Sequence, residues 1–80
     1  MAFPVRYEVY NITGTTEKLI FSTSNLNAAI SKAVANLNLG PLKEDYITDI
    51  TEHFKGKRKE QYILLGETDH TLSKIVMYRG

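Results

Sequence analysis

Apolar and polar residues alternate from Phe3 to Ile12, with Val5, Tyr7 and Val9 on one side and Arg6, Glu8 and Tyr10 on the other. A period of two predicts a half-buried strand, and Pro4 suits its first residues or an edge. Thr13-Gly14-Thr15-Thr16 supplies a turn, and Lys18 to Thr23 completes a hairpin. The period then changes. Leu26, Ala29, Ile30, Ala33, Val34 and Leu37 fall at i, i+3, i+4, i+7, i+8 and i+11, which is one continuous stripe of an amphipathic helix. Ser24 is the expected N-cap, Gly40 the left-handed residue past the end, and Pro41 the stop, giving a helix over about 24–39. Asn27, Ser31, Asn36 and Asn38, with Lys32 alongside, form the other face, which reads as solvent-facing.

The next segment carries two patterns at once. Leu42, Tyr46, Ile47, Ile50 and Phe54 make a short helical face, with Pro41 at its first position and Gly56 past its end. Yet Tyr46-Ile47-Thr48-Asp49-Ile50-Thr51 is rich in β-branched residues, which lose side-chain freedom in a helix and fit a pleated surface. The β-branching predicts a strand over about Tyr46 to Phe54, its imperfect alternation marking a bulge. A turn through Lys55-Gly56-Lys57-Arg58, a strand from Glu60 to Leu65, a turn from Gly66 to Thr71 and a strand from Leu72 to Arg79 follow. The expected fold is α+β, in the order ββαβββ, with one helix on one face of an antiparallel sheet. The last two strands are apolar on both sides: Tyr62 and Leu64 oppose Ile63 and Leu65, while Ile75 and Met77 oppose Leu72, Val76 and Tyr78. One helix cannot cover two faces. The second face is expected to be buried against another copy of the chain, with Leu64, Val76 and Tyr78 at the interface, or under an irregular segment of the same chain.

Length and composition bound the rest. Eighty residues, 42% of them hydrophobic, make one domain over 1–80, and a chain of this size buries only about 60–65% of its unfolded surface. The absence of cysteine removes disulfides, thiolate–zinc sites and cysteine nucleophiles, and fits a reducing, cytoplasmic setting. No stretch approaches the roughly 20 apolar residues of a membrane span, and no charged segment leads into an apolar run near Met1.

Charge adds the strongest functional signal. Ten Lys and Arg face nine Asp and Glu, so the chain is nearly neutral, yet Lys55, Lys57, Arg58 and Lys59 fall within five positions. At a hairpin tip these side chains can neutralise phosphates without sequence preference, and Tyr62 beside them can stack on an unpaired base. The alternative is a homodimeric structural or accessory protein whose basic loop only maintains solubility, as lysines at edges and hairpin tips do against edge-to-edge pairing. Signs of catalysis are few. His53 and His70 lie in different elements, and on a strand Glu52 and His53 point to opposite faces. Gly14, Gly40, Gly56 and Gly66 are isolated and match no phosphate-binding loop or dinucleotide fingerprint. The pairs Glu44-Asp45 and Asp49/Glu52 read as surface charge. The expectation is a protein that is not an enzyme and uses no cofactor or metal.

The hairpin, the Ser24-Asn25-Leu26-Asn27-Ala28-Ala29-Ile30-Ser31-Lys32-Ala33-Val34 helix and the meander after it resemble, as an order of elements, small phage-encoded proteins that disable host machinery. These include anti-CRISPR proteins, phage inhibitors of RNA polymerase and phage antitoxins. The resemblance covers most of the chain and contains no diagnostic motif. It implies a homodimeric inhibitor of a host defence or toxin system, acting by binding in the bacterial cytoplasm. Its basic segment would contact RNA, or a host protein with an acidic or RNA-binding surface.

Overall fold

The computed structural model describes residues 5–37, 44–56, 59–66 and 71–79, with Arg79 described by its backbone alone. The order is β1 (Val5–Thr13), β2 (Thr16–Thr23), α1 (Leu26–Asn36), α2 (Glu44–Phe54), β3 (Lys59–Leu65) and β4 (Thr71–Arg79). The class is α+β, as the patterning predicts, but the order is ββααββ. One antiparallel sheet runs β2-β1-β4-β3, so β1 and β4 are its centre. β1 and β2 join through Gly14 and Thr15, where Gly14 takes φ 62°, a left-handed conformation that costs glycine little.

The segment expected to be a third strand is α2. A strand would put Tyr46, Thr48, Ile50, Glu52 and Phe54 on one face, mixing apolar with polar. The helix instead gathers Tyr46, Ile47, Ile50 and Phe54 toward the core, with Thr48, Asp49, Thr51 and Glu52 exposed. Glu44 and Asp45 in the first turn and His53 in the last match the helix dipole. Gly56, at φ 75°, takes the left-handed conformation just past the helix end. Tertiary burial of the stripe outweighs a β-propensity worth less than about 1 kcal/mol per residue.

At the start of α1 the cap is Asn25 rather than Ser24: Asn25 is extended, and its Oδ1 accepts from the Ala28 N–H at 3.1 Å. The helix ends at Asn36, short of the expected 39; Gly40 and Pro41 lie outside the described residues. The bulge lies in the β1–β2 pair. Val9 faces Phe21 but Tyr10 faces Leu19, so Ile20 is an extra residue in β2. Ile20 and Phe21 both pack toward the core, and Leu19 is left on the far side.

Both helices lie on one face. α1 packs across β1, β4 and β2, while α2 packs on β3 and against α1. The core between them contains Tyr7 and Val9 of β1, Ala29, Ile30, Ala33 and Val34 of α1, Ile50 and Phe54 of α2, Leu64 of β3, and Ile75 and Met77 of β4. Ser73 is the buried polar residue among them. Its hydroxyl donates to the Ala33 carbonyl at 2.9 Å and accepts from Asn36 Nδ2 at 2.9 Å. Asn36 Nδ2 also donates to Asn11 Oδ1 at 2.9 Å. Asn36 therefore joins helix to sheet, where the helical wheel placed it in solvent.

Candidate functional site

The strand pairing sorts every side chain of the sheet to a face. The face away from the helices carries Arg6, Glu8, Tyr10 and Ile12 of β1, Lys59, Gln61, Ile63 and Leu65 of β3, and Leu72, Lys74, Val76 and Tyr78 of β4. No described helix packs on it. Cross-strand rows divide it into two zones.

Toward one end lies the row Lys59–Tyr78–Arg6, drawn from three strands. The Arg6 guanidinium lies 5.8 Å and the Lys59 ammonium 5.6 Å from the Tyr78 ring centre, within the range of cation–π attraction. Each cation reaches Tyr78 from the strand on its own side. The Glu8 carboxylate accepts from the Tyr10 hydroxyl at 3.0 Å and lies 3.4 Å from Arg6. That hydrogen bond, followed by partial burial and the charges of Glu8, Tyr78 and Glu17, raises the Tyr10 pKa, because each opposes a phenolate. The next row, Gln61–Val76–Glu8, closes the zone. Val76 is 7% exposed, although no described helix packs on that face.

Toward the other end the rows are Ile63–Lys74–Tyr10–Leu19 and Leu65–Leu72–Ile12–Glu17. Leu65 is 70%, Leu19 47% and Ile63 45% exposed. Lys74 crosses β1 to place Nζ 2.6 Å from Glu17 Oε1 on β2, and lies 5.1 Å from the Tyr10 ring centre.

The basic segment differs from the expected hairpin tip. Lys55 and Gly56 follow the end of α2 and Lys59 opens β3, so 55–59 falls between a helix and a strand. Lys57 and Arg58 lie outside the described residues. Lys55 is exposed, on the rim of a groove of about 450 Å³ beside Tyr7, Leu26 and Phe54. Of the four expected contact cations, Lys59 is the one seen on the open face. Tyr62 is not on that face: it is half-buried against the core, its ring centre 5.2 Å from that of His53. Leu64 is 5% exposed and belongs to the core beneath the helices, because it alternates with Ile63 and Leu65, which face out. It does not lie on the open face. Val76 and Tyr78 do lie on the open face.

His53 serves the sheet edge. Its Nε2 donates to the Gln61 carbonyl at 2.6 Å, while the Gln61 N–H donates to Glu60 Oε1 at 3.0 Å. Both outward groups of Gln61 are thereby satisfied, a local guard on an edge strand. His70 is outside the described residues. Among the described residues no three His, Cys, Asp or Glu side chains come together as a metal site, and no helix is long and apolar enough to cross a membrane. Sequence reasoning missed Arg6 and Lys74. The signal available was their place on the polar side of β1 and β4, opposite the stripe that packs on α1. Comparison with protein-family models, with curated proteins and with solved structures finds no match.

Proposed function

We propose that the chain is a small non-enzymatic binding protein, of the kind with which phages inhibit a host defence or toxin system. In this reading it holds single-stranded RNA along the Lys59–Tyr78–Arg6 row and the basic segment that leads into it. The observation that supports it is Tyr78 standing between two cations on the sheet face that no described helix covers, with Lys55, Lys57 and Arg58 just before Lys59 in the chain. Single strands are bound by cations that track the phosphates and aromatic rings that meet the bases, and this row offers both. Glu8 is occupied by Arg6 and Tyr10, whereas Lys59 makes no ion pair among the described residues. The zone is therefore positive on balance, in a chain close to neutral.

Fluorescence anisotropy with a labelled oligouridylate of about 12 nucleotides tests it. Affinity is expected to fall with salt, and Arg6→Ser with Lys59→Ser to flatten the log–log slope by about 1.4, since each phosphate contact on a single strand contributes about 0.7. Tyr78→Ala is expected to weaken binding by about 5- to 100-fold. Absence of binding at low salt, or an unchanged slope in the double variant, overturns the reading.

A further inference from the structure

The apolar zone of the open face is a separate surface with a different chemistry, and it asks for a different occupant. Ile12, Leu19, Ile63, Leu65 and Leu72 lie in two adjacent cross-strand rows, so their exposed parts form one patch rather than scattered single residues. Among the described residues the charges inside it are Lys74 and Glu17, and these neutralise each other within the chain at 2.6 Å. We propose that this zone is the contact through which two copies of the chain pair, sheet face to sheet face, with the helices on the outside.

Charge argues for a second copy over another partner. A two-fold interface sets a patch against itself, so any net charge on it meets its own like. The apolar zone is balanced and can face itself without that penalty. The Lys59–Tyr78–Arg6 zone is positive and cannot, which keeps the pairing to one end of the sheet. A polyanion or a strongly charged protein gains nothing from the balanced zone.

The pairing covers the large apolar side chains that the single chain leaves exposed, Leu65, Leu19 and Ile63. It also accounts for strands that are apolar on both sides: Ile75 and Met77 serve the monomer's core, while Leu72, Ile63 and Leu65 serve the dimer's.

Light scattering and sedimentation between about 5 and 500 µM test this. The mass is expected to rise from 9.1 kDa toward twice that value and stop there. Ile63→Glu with Leu65→Glu is expected to hold the mass at the monomer value with an unchanged far-ultraviolet spectrum, and to remove any rise of melting temperature with protein concentration, because both side chains are already exposed in the single chain. Glu17→Lys, which breaks the charge balance, is expected to weaken pairing by about tenfold at low salt and less at high salt. Arg6→Ser with Lys59→Ser is expected to leave the dimer intact, so loss of RNA binding and loss of pairing are separable. A monomer throughout the range, growth past two copies, or a dimer unaffected by the Ile63/Leu65 variant overturns the proposal.

Discussion

Ser73 shows how much one residue can decide. Its hydroxyl takes one hydrogen bond from Asn36 and gives one to the Ala33 carbonyl, so a polar group at 0% exposure is fully satisfied. Both partners are on α1, and Asn36 reaches on to Asn11 of β1. The network fixes the register of the helix on the sheet. Ser73→Ala takes the hydroxyl donor from the buried Ala33 carbonyl and leaves Asn36 with Asn11 alone, and is expected to cost about 1–3 kcal/mol. Ser73→Ala and Asn36→Ala together are expected to cost less than their separate costs added, by about 0.5–3 kcal/mol, as read from urea midpoints. Full additivity would mean that the two side chains act independently. At Tyr10 the raised pKa fixes a pH effect. The folded state holds the phenolic proton more tightly than the unfolded state does, because the Glu8 carboxylate accepts it. The stability contributed is fully present below pH ~10 and is lost as pH rises through the folded pKa. Tyr10→Phe is expected to make stability fall less steeply above pH ~10 in alkaline unfolding curves. An identical slope in the variant would remove the hydrogen bond as the cause.

The elements differ in how openly the sequence declares them. The β1–β2 hairpin and α1 were legible because a single period runs through each, and a single period gives one buried face. Glu44–Phe54 was not, because a helical stripe and a run of β-branched residues occupy the same positions. What settles it is that α1 covers β1, β4 and β2, leaving β3 in need of cover. An apolar stripe with a surface to pack on outweighs side-chain preference. Thr48 gives a test whose sign separates the two structures. It is exposed on α2, so Thr48→Ala is expected to stabilise the chain by about 0.5 kcal/mol in urea unfolding through helix propensity. On a strand the same change is expected to destabilise.

The whole molecule is two layers thick, with Cα extents of 43 × 27 × 16 Å, and its two faces have different fates. Its centre is the β1–β4 pair, which joins strands far apart in the chain with Val5 opposite Arg79 and Thr13 opposite Thr71. Both strands have a neighbour on each side. Their amides are expected to exchange slowest in native-state hydrogen exchange, with outward amides of β2 and β3 much faster and Gln61 a local exception because its N–H is held by Glu60. Comparable protection in β2 and β1 would contradict the strand order.

What the sequence by itself determined is what repeats locally: the α+β class, the first hairpin, the stripe of α1, the alternation in β3 and β4, and from that alternation a second apolar sheet face. Local periodicity needs no knowledge of the partner. What only the tertiary structure decided is everything that depends on a partner distant in the chain. β4 chose the centre and β3 the edge; the stripe of Glu44–Phe54 found β3 and became a helix. Tyr62 and Leu64 went under the helices while Ile63 and Leu65 went out. The cluster of four positive charges was legible in the chain, but Arg6, more than fifty positions away, shares the Tyr78 ring with Lys59 only because β1 and β3 flank β4. The reason is physical: a period fixes which side chains share a face, and only the surfaces left uncovered after packing fix what that face meets.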